Sequence, residues 1–119
     1  MAGSHEFGRR AEDLAAAYLR GRGWRILARN WRFHHKEIDL VAERSGVVAF
    51  VEVRARSRAD WGLPAATIGA AKRRELLVAA RGWIARRGRP GQTYQFDAVS
   101  VLRAGPRLQF EHVEDAWRP

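Results

Sequence analysis

The spacing of apolar residues changes several times along this chain, and each change marks an element. From Phe7 to about Arg20 they recur every three or four positions: Phe7, Ala11, Leu14, Ala15, Tyr18 and Leu19. That stripe predicts an amphipathic helix, with Gly21 and Gly23 placed to end it. Trp24 to Phe33 reads as a first strand, with Arg25, Arg29 and Arg32 interleaved among Trp24, Ile26, Ala28, Trp31 and Phe33. Asn30 marks a bulge or bend, and His34-His35-Lys36 a turn. The two histidines are read as solvated.

Two alternating stretches follow, Glu37–Arg44 and Val47–Arg56, on either side of Ser45-Gly46. Ser-Gly suits a two-residue primed hairpin turn. Such a turn opposes Arg44 to Val47. Counting back, Asp39 falls opposite Glu52 and Glu37 opposite Arg54, and alternation puts all four on one face. Directly opposed Cβ atoms are roughly 4.5–5.5 Å apart. Two carboxylates that close repel unless a proton or a metal ion lies between them. A three-residue loop would slip the register and send one strand's acids to the other face.

Ser57 to Pro64 reads as a loop. Its Trp61 either stacks on a base or plugs the core. Ala65 to Arg87 is the longest helix, with Ala65, Ile68, Leu76, Ala79, Ala80 and Trp83 on one face and Lys72 among them. A lysine there snorkels or meets a buried carboxylate. Near the helix start it can reach the open edge of the strand-borne acids. Tyr94 to Leu102 predicts a fourth strand with Tyr94, Phe96 and Ala98 on one face and Asp97, Val99 and Val101 on the other. Asp97 is expected to meet an arginine. Leu108 to His112 reads as a fifth strand, and Glu114 to Trp117 as a short terminal piece, helical at best. There is no internal repeat and no linker.

At 119 residues the chain suits one domain with one modest core. Residues 1–7 read as an N-terminal extension, because Gly-Ser-His resembles a cloning remnant, and 8–119 as the domain. Lacking cysteine, the chain has neither disulfides nor thiolate metal sites. The absence of a membrane-length apolar run and of a signal-peptide pattern makes a cytoplasmic protein the expectation. The net charge of +9 then changes the picture. A GC-rich genome accounts for arginine in place of lysine. It does not account for 22 basic residues against 13 acidic ones. The excess favours a nucleic-acid partner.

Acids in strands beside a basic surface suggest phosphodiester hydrolysis, in which a divalent cation polarises the phosphate and generates hydroxide. Mg²⁺ or Mn²⁺ takes oxygen ligands, which Asp39, Glu52 and the carbonyl of Val53 can supply. Arg54, which cannot deprotonate, suits an electrostatic clamp, and Lys72 suits positioning water. Arg29, Arg32, Arg56 and Arg73 are candidates for phosphate contact, with Trp61 for a base. By spacing alone, Glu12 is a solvated helix residue near an N-terminus.

Several motifs together resemble one family: Gly8-x3-Glu12, Arg29-Asn30-x-Arg32, Glu37-Ile38-Asp39-Leu40, Phe50-Val51-Glu52-Val53-Arg54-x-Arg56, and Gly62-x-Pro64 leading to Lys72. With Phe96-Asp97 and the His112–Trp117 tail, they look like the YraN family of small bacterial proteins over nearly the whole chain from Gly8. That family is similar to the PD-(D/E)xK nucleases, including Holliday junction resolvases. The resemblance implies an α/β, restriction-endonuclease-like three-layer fold, with a central mixed sheet of four to five strands flanked by helices. It also implies a metal-dependent endonuclease acting on structured or branched DNA, with roles in repair and recombination. Asp39 and Glu52 become metal ligands and Glu12 the first-helix acid. Lys36 stands where the family usually has Gly. Arg54 stands where the superfamily has its catalytic lysine, which moves that role toward Lys72 or favours a binding module with little catalysis. A further reading makes the acids salt-bridge formers only, with Glu37–Arg54 as one pair. DNA is favoured over RNA, no membrane is implied, and paired cuts admit a homodimer.

Overall fold

The computed structural model describes residues 2–57 and 68–119, the first five of these as backbone only. The elements are α1 (Ala2–Gly21), β1 (Arg25–Phe33), β2 (Lys36–Arg44), β3 (Val47–Arg56), α2 (Ala70–Arg87), β4 (Thr93–Ala104) and β5 (Arg107–Trp117). At the turn between β2 and β3, Ser45 and Gly46 both take positive φ, 52° and 80°. A primed turn requires this, and its twist matches that of the flanking strands. The register is the one the two-residue loop predicts, from Arg44 opposite Val47 to Leu40 opposite Val51.

The five strands form one sheet in sequence order, β1-β2-β3-β4-β5. Only β3 and β4 are parallel, and α2 lies in the crossover between them. The sheet is therefore mixed, and a helix packs on each face in a three-layer α/β/α arrangement. Ala11, Ala15 and Leu19 of α1 bury against Leu40, Ala42, Ala49, Val51, Val99 and Val101. On the other face, Leu76, Ala79, Ala80 and Trp83 of α2 bury against Ile38, Val41, Val48, Phe50 and Phe96. Among the described residues, no helix is long and apolar enough to cross a membrane.

Three boundaries differ from expectation. Helix α1 runs back to Ala2, through residues read as an extension. Helix α2 starts at Ala70 rather than Ala65, because Gly69 is extended (φ −66°, ψ 159°); residues 65–67 lie outside the described set. The terminal piece expected to be helical at best is strand to Trp117. Pairing with β4 resumes beyond an irregularity, so that Trp117 lies opposite Phe96 and the two rings stack at 4.0 Å. Asp97 explains the resumption. It is almost wholly buried and meets no arginine among the described residues; its carboxylate bonds His112 Nε2 at 2.7 Å and accepts the N–H of Asp115 at 3.0 Å. Asp115 has a φ of 51°, so Asp97 secures a left-handed residue within the irregular stretch.

At Gly82, α2 lies directly against the Phe33 ring of β1. A Cβ there would clash with the Phe33 ring. Helix propensity alone would make Gly82→Ala stabilising by up to about 1 kcal/mol. The ring contact reverses the sign, and the expected result in urea denaturation is a loss of about 1–2 kcal/mol. A gain would show that Phe33 yields freely.

Candidate active site

The site lies where strand alternation breaks. Arg29 pairs with Leu40 and Trp31 with Ile38, which leaves Asn30 facing Asp39 between them. Asn30 is left-handed, with φ 49°. Asparagine tolerates that conformation better than most residues. Ile38 packs on the α2 side, while Leu40 and Ala42 pack on the α1 side. Strict alternation would put all three together. The β2–β3 ladder ends at Leu40–Val51. Past that point the side chain of Asp39 replaces a backbone acceptor, and Val53 N–H donates to its Oδ2 at 2.8 Å.

Glu52 shares the β3 face of Val48 and Phe50, the face covered by α2. It is in hydrogen-bonding contact with Asp39. Burial is the largest cause that raises the Asp39 carboxyl, followed by the hydrogen bond and charge of Glu52. The N–H of Val53 and the charge of Lys72 oppose them, and Asp39 ends at about 7. Near neutrality the Asp39 carboxyl therefore holds a proton part of the time, and that proton relieves its repulsion with Glu52. Lys72 Nζ is 3.7 Å from Glu52 Oε2. The first turn of α2 thus brings its lysine to the acids, as the sequence predicts. The lysine side chain remains 42% exposed while Glu52 is only 14% exposed, so the cluster opens to solvent on the lysine's side.

Glu12 enters from α1. Its Oε1 accepts bonds from Asn30 Nδ2 at 2.8 Å and from Arg29 Nη2 at 3.2 Å. Burial raises its carboxyl most, the bond and charge of Arg29 oppose this, and the nearby charge of Asp39 adds to the rise. Glu12 is therefore no solvated helix residue. Arg54 is half-buried, and burial is the main cause lowering its guanidinium, with Arg56 adding to the effect and Glu52 opposing it. Glu12, Asp39, Glu52, Arg54 and Lys72 thus influence one another within one locality.

Other expected residues fall differently. Glu37 forms its ion pair across the β1–β2 ladder with Arg32 at 3.1 Å. It was expected opposite Arg54, but the β2–β3 ladder ends before reaching that pair. Arg29 is held by Glu12 and by Asp13. Arg73 donates to the carbonyl of Ile68 at 2.9 Å and lies over the Trp117 ring. Arg56 is half-buried beside Arg54. Trp61 lies outside the described residues. Sequence reasoning missed Asn30 as the anchor of Glu12. The available signal is an asparagine inside a strand pattern, which the sequence offers as a bulge or bend and as part of the Arg29-Asn30-x-Arg32 motif.

No three Asp, Glu or His side chains among the described residues form a group that could hold an ion by themselves. Two carboxylates still suit Mg²⁺, which typically binds one or two and keeps several waters. The raised Asp39 supplies the chemical fit, because a cation beside both carboxylates would offset the burial and the repulsion that raise it.

A model of the uncharacterised protein family UPF0102 matches residues 11–101. A UPF0102 protein of Myxococcus xanthus is 38% identical over 112 residues, covering 94% of this chain and 89% of the relative. One from Chloroherpeton thalassium is 40% identical over 120 residues, covering 94% and 93%. One from Rhodococcus jostii is 38% identical over 118 residues, covering 98% and 100%.

The Asp39 carboxyl stands at about 7 in the folded chain against 3.8 for a free side chain. Its contribution to stability is complete below the unfolded value and disappears as pH rises through the folded one. Thermal melts without divalent cations should therefore show Asp39→Asn gaining on the wild type between pH 4 and 8, by on the order of 5 °C. Parallel curves would show that Asp39 titrates as an ordinary carboxylate.

Proposed function

The chain belongs to the uncharacterised protein family UPF0102, the YraN family, and from that membership and the acid cluster we propose that it is a metal-dependent endonuclease cutting structured or branched DNA. The observation that carries the reading is the Asp39–Glu52 pair with Lys72 beside it. A merely structural pair of carboxylates gains nothing from mutual repulsion, whereas a hydrolytic site needs acids poised for a cation.

Asp39 and Glu52 would hold Mg²⁺ or Mn²⁺, with the Val53 carbonyl as a further ligand. The bound cation supplies charge neutralisation at the phosphate and a more acidic water. Lys72 positions that water or stabilises the charge that develops on the phosphate. It occupies the role that the superfamily gives to a strand lysine where this chain has Arg54. Arg54 stays protonated and serves as a clamp. Glu12 fixes Asn30 and Arg29 and adds negative field at Asp39. The arginine at position 54 favours one second reading, a nucleic-acid-binding module of the same fold with little catalysis.

The test is cleavage of labelled duplex, flap, four-way junction and single-stranded DNA in Mg²⁺, Mn²⁺ and EDTA. Asp39→Asn and Glu52→Gln should each cost at least about 100-fold in rate, and Lys72→Ala should cost more than Arg54→Ala. Cleavage in EDTA, or cleavage untouched by Asp39→Asn, would overturn the mechanism. Binding with no cleavage on any substrate selects the second reading. In thermal melts near pH 7.5, Mg²⁺ should raise the midpoint of the wild type and leave Asp39→Asn unchanged. Equal shifts would place the cation elsewhere.

A further inference from the structure

The arginines differ in what the fold does with them. On β1 and β2 they are neutralised: Arg25 by Glu43, Arg29 by Glu12 and Asp13, Arg32 by Glu37, and Arg44 by Glu114. Helix α2 is the opposite case. It carries Lys72, Arg73, Arg74, Arg81, Arg86 and Arg87 against a single acid, Glu75. Among the described residues, no arginine of α2 has a carboxylate partner, and Arg74 and Arg81 make no ion pair, hydrogen bond or ring contact. Among the described residues nothing neutralises their charge.

An apolar feature accompanies that charge. Val78 and Ile84 are large hydrophobic residues left more than a third exposed on the same helix. Helix α2 packs chiefly on β2 and β1. Toward β4 a groove of about 640 Å³ remains, with Leu77, Arg81 and Ile84 on its helix wall and Tyr94, Phe96 and Trp117 on its sheet wall. That volume is within the range of small-ligand sites, about 300–1,000 Å³.

We propose that α2 and this groove hold an unpaired strand of nucleic acid, with phosphates on Arg74 and Arg81 and a base in the groove. The inference rests on the nuclease reading for what happens at the acid cluster, and names the kind of DNA that reaches it. Charge complementarity selects a polyanion. The alternation of free cations with an aromatic-lined recess selects bases together with phosphates. A duplex presents phosphates but keeps its bases stacked inside, so it cannot fill the groove. An acidic peptide would satisfy the arginines and leave the recess empty. Lys72 sits in the first turn of the same helix and contacts Glu52, so a strand lying along α2 arrives at the acid pair. Arg29 and Arg32, expected from the sequence to bind phosphate, are engaged by carboxylates of the chain itself.

The test is fluorescence anisotropy in EDTA with labelled oligo-dT and a blunt duplex, so that binding is read without cleavage. Arg74→Glu/Arg81→Glu should weaken oligo-dT binding at least ~10-fold. Arg20→Glu/Arg107→Glu changes net charge equally away from the groove and should weaken it no more than about 2–3-fold. Ile84→Asp should weaken oligo-dT and spare the duplex, and Ile84→Ser serves as the milder variant if the first fails to fold. Equal losses from the two charge pairs would overturn the proposal. So would equal effects of the Ile84 substitution on single strand and duplex, or competition by poly-glutamate as effective as that by unlabelled oligo-dT. Cleavage is scored separately in Mg²⁺. A chain that binds in this pattern but cuts nothing keeps the strand path and loses the nuclease reading.

Discussion

Two carboxyl groups, Asp39 and Glu52, are held in contact in a partly buried place, and much of the surrounding structure maintains that unfavourable contact. The primed turn at Ser45-Gly46 sets the register that brings them together. The end of the ladder at Leu40–Val51 frees Asp39 to take the N–H of Val53. The crossover through α2 delivers Lys72 to Glu52. Without a proton, or a cation in its place, the pair would repel; burial first, and Glu52 after it, raise Asp39 to about 7. Such strain is characteristic of sites kept for chemistry rather than for stability.

The two helices contribute differently to this locality. Helix α1 supplies Glu12, which is tied to Asn30 and Arg29 on β1 and so braces the strand opposite Asp39. Helix α2 supplies the cation, and along its exposed surface the arginines that no acid among the described residues neutralises. Acids thus sit at the centre, with compensated arginines on the β1 side and uncompensated ones along α2. A uniformly basic protein would bind polyanions anywhere; this distribution gives them a direction.

The hairpin was legible because a two-residue turn and a period-two pattern leave a single register. Lys72 was legible because a lysine on an apolar helix face needs a reason. Glu12 was not legible from spacing. Its environment is made by Asn30 and Arg29, 18 and 17 residues away, and only the family resemblance pointed to it. The expected Glu37–Arg54 opposition failed because alternation breaks at Asp39, which period-two counting cannot see. The last strand was misread because Glu114 to Trp117 carries no strand pattern of its own. What extends it is buried Asp97, fixing Asp115 from the neighbouring strand. For Glu12 and for the last strand, a contact between distant parts of the chain overrode a local pattern.

The central claim is that Asp39, buried against Glu52, binds a proton near neutrality where a divalent cation can take its place. Carboxyl-carbon NMR titration of Asp39, with and without Mg²⁺, tests it most directly. The predicted result is a titration near pH 7 that moves well below it when Mg²⁺ is added. A titration of Asp39 near the ordinary carboxylate value, unmoved by Mg²⁺, would contradict the account.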